Sequence, residues 1–403
     1  MSLPYRLLAG CLALAALTLT GCKKESCLGN DESCRVASPC EPLSYTCEAA
    51  SGASLEVREL TPDDLRAGSN GTSGTETVPG GLNAHGARGD ILLGNERAVA
   101  VIGGLGTPRF LDPNGGGLID LSPRGRDNDG LNQMLQVVGI LPADAVRYTA
   151  YELIDERPTR VAVQFRGTLD GKPEFPVHTL YEMRPCEPGI RVRTELLNTS
   201  VDPQLWALSD GFYWSGKETL PFTPSAGTGY QHPSFNLLTI GDAYRKFPYL
   251  AAALHSDPPA SYAHVACGEV DLLEGFQSDQ ISSSGLARTV VGPRDYLVFE
   301  RFLAVSERGD VAAAADLALE ARQKLRGEEY VTLSGVVSRR GAPVGAGREA
   351  SVLISEGRLA AEPSTRIPWT QLTPGADGRF QARVPAGRDY VVELYAFGRK
   401  VAD

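Results

Sequence analysis

From residue 55 onward, short apolar runs are separated by turns rich in glycine, proline and aspartate. Residues 159–166 alternate strictly, with Val161, Val163 and Phe165 on one face, and residues 190–197 keep the same two-residue period. A period of two is that of a half-buried β-strand. The pattern therefore predicts an all-β chain in which residues 54–326 form a large antiparallel sandwich or barrel.

One segment follows the helical period of about 3.6 residues instead. Its apolar residues fall on a single stripe: Val311, Ala314, Ala315, Ala318 and Leu325. Asp310 precedes the stripe and suits an N-cap, and Gly327 suits a C-terminal stop. We expect a helix over residues 310–326 that closes the large domain or bridges it to the next.

Residues 327–403 carry a second set of strand and turn signals. Gly-x-Pro-Val at 341–344, Asp-Gly-x-Phe at 377–380 and Val-Pro-Ala-Gly-x-x-Tyr at 384–390 occur in that order. This order resembles the carboxypeptidase regulatory-like, or transthyretin-like, domain. The resemblance implies a small seven-stranded Ig/transthyretin-like β-sandwich without catalytic function. The chain ends soon after the strand that starts at Tyr390, so an incomplete module is one expectation.

The N-terminus combines a positive charge with a short apolar run. Arg6 precedes apolar residues 7–20, and the run closes in Leu19-Thr20-Gly21-Cys22, which is typical of a bacterial lipobox. The run is shorter than the ~20 residues that span a bilayer. We expect residues 1–22 to be a lipoprotein signal peptide and Cys22 to carry the lipid. Lys23 is not the aspartate associated with inner-membrane retention, which favours the outer membrane of the cell envelope.

Cysteines crowd into the segment after the lipobox, residues 23–53. Four cysteines there are candidates for two disulfides, in any of three connectivities: Cys27, Cys34, Cys40 and Cys47. Such pairs would make a stapled tether. Cys186 and Cys267 are the candidates for a further disulfide with each other.

Charge and motifs narrow the function. A net charge of −10 without a basic stripe argues against nucleic acid as a partner. The five histidines form no His-x-His or His-Glu-x-x-His pair, and no phosphate loop or Gly-x-Ser-x-Gly elbow occurs, so we predict no metal, no cofactor and no catalytic residue. Asp127-Asn128-Asp129-Gly130 lacks the later ligands of a calcium loop, which favours an acidic surface turn.

An aromatic and polar cluster is the candidate ligand site. Flat rings near carboxylate, amide and imidazole groups suit sugar binding. The candidate residues are Trp206, Asp210, Tyr213, Trp214, Tyr230 and His232. Core packing of the tryptophans is the alternative. A sugar enzyme would instead need His232 and a carboxylate to meet in one site, with these carboxylates as candidates: Asp210, Glu218, Asp242, Glu269 and Glu300.

The large region also resembles a known family. Residues 89–97, 112–120 and 300–305, with Gly309-Asp310 before the helix, look like the N-terminal part of bacterial lipoproteins that carry a CehA/McbA-type metallohydrolase of the PHP class. The resemblance implies a galactose-mutarotase-like β-supersandwich. In that family a histidine-rich metal domain follows, and no such ligands can be assigned in this chain.

These observations favour a non-enzymatic, lipid-anchored envelope protein whose β-sandwich modules bind a glycan or an envelope protein. The alternative is the accessory part of a PHP-class metal-dependent phosphoesterase whose catalytic domain is absent from this chain.

Overall fold

The structure is a computed structural model. It describes residues 38–47, 55–69, 78–81, 83–109, 111–112, 114–139, 145–214, 218–226, 245–254, 257–278, 280–344, 350–362, 365–397 and 399–402. The lipobox with Cys22, and also Cys27, Cys34, Tyr230, His232 and Asp242, lie outside these residues.

The regular structure of the described residues consists almost entirely of antiparallel strands. The strands that precede the helix at residues 311–326 are β1 Glu56–Glu59, β2 Ile91–Gly94, β3 Ala98–Ile102, β4 Leu118–Pro123, β5 Leu131–Val138, β6 Val146–Glu156, β7 Arg160–Leu169, β8 Pro176–Met183, β9 Gly189–Leu197, β10 Gln204–Trp206, β11 Leu208–Trp214, β12 Thr219–Phe222, β13 Arg245–Phe247, β14 Leu250–Leu254, β15 Ala260–Ala266, β16 Leu273–Gln277, β17 Ile281–Gly285, β18 Thr289–Val291 and β19 Tyr296–Ser306.

Two large sheets face each other across one hydrophobic core. The nine-stranded sheet has the order β1-β2-β3-β4-β5-β11-β17-β16-β13, and the eight-stranded sheet has the order β12-β14-β15-β19-β9-β8-β7-β6. Leu118 and Met134 of the first sheet belong to the same core cluster as Val163 and Val192 of the second. The predicted all-β sandwich is confirmed, and the alternating residues Val161, Val163 and Phe165 are fully buried as the period of two requires.

The helix α2, Val311–Arg326, lies where the sequence predicts it. Asp310 accepts a hydrogen bond from the Ala313 backbone N–H, and Gly327 adopts the left-handed conformation at φ 69° that ends a helix. Its alanine-rich face packs on β14, β15 and β19 of the eight-stranded sheet. The short helix α1, Pro62–Ser69, is not predicted, because eight residues carry too little periodicity to detect. Within the described residues, neither helix has the length and apolar character that crossing a bilayer requires.

The C-terminal module, residues 327–403, continues directly from α2. Its strands are β20 Tyr330–Val336, β21 Ser338–Arg339, β22 Ala342–Pro343, β23 Ala350–Glu356, β24 Ile367–Leu372, β25 Arg379–Pro385, β26 Tyr390–Ala396 and β27 Arg399–Ala402. They form a four-stranded sheet, β24-β23-β26-β27, and the pairs β20-β25 and β21-β22. These eight strands differ from the seven expected, because the two-residue strands β21 and β22 form a small hairpin of their own.

The module and the sandwich share a second core cluster. Helix α2 contacts β24 and β25 of the module as well as the eight-stranded sheet. Trp369 of the module packs beside Tyr249 of the sandwich, whose hydroxyl donates a hydrogen bond to the Trp369 backbone carbonyl. Apolar residues on both sides are therefore buried together around α2.

Residues 38–47, here called the strap, cross the outer side of the eight-stranded sheet. Cys40 is bonded to Cys267 at the end of β15, and Cys47 is bonded to Cys186 in the turn between β8 and β9. The prediction that Cys186 and Cys267 pair with each other is wrong. The prediction that the four tether cysteines pair among themselves, in one of three connectivities, is also wrong for Cys40 and Cys47, each of which is bonded to a sandwich cysteine. Each of the two sandwich cysteines meets a strap cysteine because the strap passes over both strand ends. The strap is thus fastened to the sandwich at two points.

Candidate ligand-binding cleft

Strand β11 separates the predicted aromatic cluster into two faces. Its alternation turns Asp210, Phe212 and Trp214 into the core and Tyr213 to the opposite side. Trp214 is only 1% exposed, stacks on Phe212 with ring centroids 5.2 Å apart, and donates from Nε1 to Ser282 Oγ at 3.1 Å. Trp214 is therefore a core residue, as the alternative of core packing has it.

Trp206 is also a core residue. It lies on the short strand β10, is 6% exposed, and packs edge to face against Phe175 with ring centroids 5.2 Å apart. The alternative of core packing thus holds for both Trp206 and Trp214. Of the six predicted ligand residues, Tyr213 alone is placed by the described structure at a cleft, and Tyr230 and His232 lie outside the described residues.

Asp210 belongs to a buried polar bridge between the two sheets. Its carboxylate accepts from Arg301 Nε at 2.8 Å and from Arg301 Nη2, and Arg301 lies on β19 of the opposite sheet. Burial alone would raise the pKa of Asp210, but Arg301 and His264 hold it below its usual value. Asp210 is therefore ionised, and its charge is neutralised inside the protein.

His264 of β15 completes this bridge. Its Nε2 lies 3.0 Å from Asp210 Oδ2, and its Nδ1 lies 3.0 Å from Ser284 Oγ. Burial lowers the pKa of His264, against the opposing effect of Asp210, so the ring is neutral. Since the carboxylate only accepts, Nε2 carries the proton and Ser284 donates to Nδ1. The order Ser–His–Asp matches that of a hydrolytic triad, but all three side chains are buried and Asp210 is bound to Arg301, so the arrangement is structural.

The other predicted carboxylates do not converge. Glu218 and Glu269 are exposed at separate places, whereas Glu300 is buried under the strap. Glu300 accepts from the Cys40 backbone N–H at 3.2 Å and from Arg193 Nη1 at 2.9 Å. None of these three described residues meets another in one concave site.

A cleft lies on the face of the nine-stranded sheet that points away from the core. Its volume is about 220 Å³, and its walls are His85, Arg109, Ile119, Asn132, Gln133 and Tyr213. Tyr213 of β11 and Gln133 of β5 are direct cross-strand partners, so their side chains stand together on this face. The alternation of β11 and β5 thus places an aromatic ring beside an amide.

Two buried aspartates fix the loops that complete the cleft. Asp90 accepts from the backbone N–H groups of Ala87 at 2.7 Å and Gly104 at 2.8 Å, and it forms an ion pair with Arg109. Asp120 of β4 accepts from the backbone N–H of His85 at 2.7 Å. The segment of residues 83–90, here called the cleft wall, and the loop that carries Arg109 are therefore held in place before any ligand binds.

Gln133 presents unused hydrogen-bonding capacity to the cleft. It is 1% exposed, and its Oε1 accepts from the Leu111 backbone N–H at 3.1 Å. Its Nε2 has no hydrogen-bond partner among the residues that the structure describes. Because an unpaired buried amide is costly, this group is suited to a ligand oxygen or a water molecule.

The cleft offers little net charge to a ligand. Burial and the nearby Arg109 lower the pKa of His85, and the Asn132 side chain, which is hydrogen-bonded to the ring, opposes this effect. The His85 ring is therefore neutral at neutral pH, while Arg109 is paired with Asp90. The remaining polar walls are two amides and a phenol.

Four of the residues that line the cleft were not predicted from the sequence: His85, Arg109, Asn132 and Gln133. They come from two loops and one strand that are distant in the chain, and no short motif joins them. A signal for Tyr213 and Gln133 did exist, because both occupy the outward positions of alternating strands. The loop residues carry no such signal.

The acidic turn at 127–130 is a surface feature only in part, because Asp127 is exposed whereas the two residues after it are buried. Asp129 and Asn128 are 1% and 3% exposed, respectively. Asp129 Oδ1 accepts from the Leu121 backbone N–H at 2.9 Å, and Asn128 Nδ2 donates to the Pro259 carbonyl at 2.6 Å. These bonds draw both side chains inward, since each satisfies a backbone group inside the sandwich.

A possible metal donor set exists elsewhere in the described part of the chain, but its chemistry does not suit a metal. It comprises Cys47, Glu96 and Cys186. The two sulfurs are joined in a disulfide and are not thiolates, which are the form that binds metal ions.

Comparison with known proteins gives structural similarity alone. No family model matches the sequence, and no curated protein does. A TPR-domain containing protein from Parabacteroides distasonis aligns at 10% identity with a TM-score of 0.42, over 64% of this chain and 54% of that one. Galactose mutarotase-like proteins from Clostridium acetobutylicum and Lactobacillus casei align at 10% and 11% identity, each with a TM-score of 0.35 and over 54% of this chain, covering 95% and 100% of their own lengths.

This chain spans about half the length of the first of these proteins. The resemblance to CehA/McbA-type lipoproteins and to the carboxypeptidase regulatory-like domain stays a prediction.

Proposed function

We propose that this chain is a lipid-anchored protein of the bacterial cell envelope whose large sandwich binds a neutral glycan at the cleft without catalysing a reaction. One observation carries the proposal. Gln133 and Tyr213 are cross-strand partners that both line the cleft, and the buried Nε2 of Gln133 has no hydrogen-bond partner among the described residues.

The two groups match the two sides of a sugar. The C–H face of a pyranose packs on an aromatic ring, and its hydroxyl groups accept from and donate to amides. Asn132 and the neutral His85 ring supply further donors and acceptors at the rim. A volume of about 220 Å³ is below the roughly 300 Å³ at which drug-sized pockets begin, so it suits one sugar unit of a longer chain.

Charge favours a neutral ligand over an acidic one. Arg109 is the nearest cation, and Asp90 already balances it. Asp120 is buried close behind the cleft wall and would repel an anion when ionised. An uncharged glycan is not repelled by Asp120 and does not compete with Asp90 for Arg109.

The carboxylates beside the cleft support binding rather than catalysis. Asp90 and Asp120 are fully buried, and both accept hydrogen bonds from backbone N–H groups. A general acid or base must reach the proton that it transfers, and these two carboxylates face the protein backbone instead.

A panel of neutral and acidic glycans tests the binding proposal. We expect the detergent-extracted full chain to bind a neutral glycan, with Tyr213→Ala and Gln133→Leu each lowering affinity at least tenfold in calorimetry. Gln204→Leu is the matched control, since Gln204 lies on β10 outside the cleft. Binding of acidic glycans only, or equal affinity in all variants, would contradict the proposal.

The anchor and the alternative function need separate tests. Cys22→Ser should move the protein from the membrane pellet to the supernatant, and sucrose-gradient fractionation should place the wild type with outer-membrane markers. The alternative is an accessory part of a PHP-class metal-dependent hydrolase. It predicts that envelopes yield a much larger native species, or a stable complex with a separate catalytic subunit, in intact-mass measurement.

A further inference from the structure

Asp120 connects the cleft to the interior of the sandwich. Its two carboxylate oxygens accept from the backbone N–H groups of His85 at 2.7 Å and Gly86 at 2.9 Å. A Cβ atom at position 86 would lie 3.1 Å from Asp120 Oδ2, so the glycine permits this close approach. One buried side chain thus holds two consecutive residues of the cleft wall.

A second buried carboxyl group, Asp129, lies close to Asp120. It is bound to the backbone of Leu121, the residue after Asp120, and a negative charge on Asp120 disfavours a second charge on Asp129. Among the described residues, the other ionisable groups around this pair are Asp90, Arg109, Tyr262 and, on the wall itself, His85. Arg109 favours ionised Asp120, whereas Asp90 opposes it.

The proton affinity of the pair agrees with this geometry. Burial, with the nearby Asp90, raises the pKa of Asp120 to about 7 despite its two backbone hydrogen bonds. Burial and the charge of Asp120 hold the pKa of Asp129 well above its usual value. At neutral pH Asp129 is protonated, and Asp120 is the group that changes charge.

We propose that Asp120 is a positioning residue that makes the cleft wall, and with it ligand binding, sensitive to pH. Ionised Asp120 accepts two backbone N–H bonds. When the carboxyl group is protonated, one of its oxygens carries a hydrogen and becomes a donor. That O–H group then faces a backbone N–H, which is also a donor, and the hydrogen bond between them is lost. Protonation therefore loosens the wall at His85 or Gly86. The effect on ligand binding rests on the proposed function, whereas the effect on the wall does not.

Hydrogen exchange of the wall amides between pH 5.5 and 8 tests this directly, without a ligand. After correction for intrinsic exchange, we expect the His85 and Gly86 amides to exchange about fivefold faster at pH 5.5 than at pH 8, as loss of one net hydrogen bond implies. Amides of strand β9 in the same sample are the control. A wall that is equally protected at both pH values would overturn the proposal.

Three variants assign the step to Asp120. Asp120→Asn should remove the pH step, and Asp129→Asn should leave it near its original pH, because Asp129 is already uncharged while Asp120 titrates. His85→Gln should keep it, which separates Asp120 from titration of the imidazole. A step that persists in Asp120→Asn, or that disappears in His85→Gln, would contradict the assignment.

Ligand binding then separates the two proposals. The affinity of the wild-type protein for a neutral glycan should fall when the pH is lowered from 8 to 5.5. The affinity of Asp120→Asn should be the same at both pH values. A pH step in exchange without any glycan binding would leave the wall mechanism standing and reject the proposed function. Glycan binding without a pH step in hydrogen exchange would support the proposed function and reject the wall mechanism.

Discussion

Asp210 and Arg301 form an ion pair that joins the two sheets through the middle of the sandwich core. Both side chains are fully buried, and each lies on a central strand of its own sheet. Arg301 also donates to Thr194 Oγ1 at 2.8 Å and to the Phe299 carbonyl at 3.0 Å, so its donors are well used. The pair thus links β11 of one sheet to β19 of the other with every charge neutralised inside the core.

Breaking this pair should strongly destabilise the protein. Arg301→Met leaves Asp210 charged and buried with His264 as its main remaining partner, and such a change costs about 3–5 kcal/mol of the free energy of unfolding. Urea denaturation measures the loss. The control Arg166→Met breaks an exposed pair with Glu152, for which about 1 kcal/mol or less is expected. Equal losses in the two variants would show that Arg301 does not act through a buried charge.

The two strap disulfides should each contribute measurably to stability. Cys40→Ser and Cys47→Ser open links that span 227 and 139 residues of sequence, and loss of such a bond costs about 2–5 kcal/mol. Peptide mapping without reduction should recover Cys40 with Cys267 and Cys47 with Cys186. Recovery of a Cys186–Cys267 peptide would show that the strap does not cross the sheet in this way.

Stability should depend on pH through Asp120 and Asp129. Their pKa values are higher in the folded chain than the ordinary value near 4, so the folded state binds more protons between pH 4 and about 7. The free energy of unfolding therefore falls as pH rises through that range. This trend is opposite to that of the wall amides, which are better protected at high pH.

Asp129→Asn tests that sign. The variant removes one buried acid, so relative to the wild type it should gain stability between pH 5 and pH 8. Each unit of pKa difference corresponds to about 1.4 kcal/mol. Thermal unfolding at the two pH values measures the change. A variant whose stability relative to the wild type is the same at pH 5 and pH 8 would show that folded Asp129 does not hold a proton more tightly than the unfolded chain does.

The sequence predicted the elements better than their partners. Strand periodicity and the cap residues of α2 are local signals, and they correctly indicated the sandwich strands and the helix from Val311 to Arg326. Disulfide pairing depends on which strand ends the strap crosses, and that is a long-range property. The sequence therefore predicted bonds within the tether and between Cys186 and Cys267, whereas both bonds join the strap to the sandwich.

The candidate site shows the same limit. The predicted ligand site placed Tyr213 together with Asp210 and Trp214. Side chains alternate along β11, so Asp210 and Trp214 enter the core while Tyr213 lies on the opposite face. Trp206, on β10, is a core residue as well. Periodicity can exclude core residues from a site. It cannot bring His85 and Arg109 to the same cleft, because loops set by buried aspartates do so.

The C-terminal module and the large sandwich should unfold together. Helix α2 packs on both, and one apolar cluster includes Ala315 of the helix, Phe302 of the sandwich and Trp369 of the module. Asp310→Ala removes the N-cap bond of this helix at a cost of about 1 kcal/mol, whereas Asp310→Asn keeps an acceptor and serves as control.

The three tryptophans report on the two parts separately, since Trp206 and Trp214 lie in the sandwich and Trp369 lies in the module. When Trp206 and Trp214 are replaced by phenylalanine, the remaining fluorescence of Trp369 follows the module. When Trp369 alone is replaced, the fluorescence follows the sandwich. We expect Asp310→Ala to lower the urea midpoint equally for both probes, because burying the helix requires both surfaces. If the module unfolded at a lower urea concentration than the sandwich, and Asp310→Ala shifted the midpoint of the module alone, the shared apolar cluster would not couple the unfolding of the two parts.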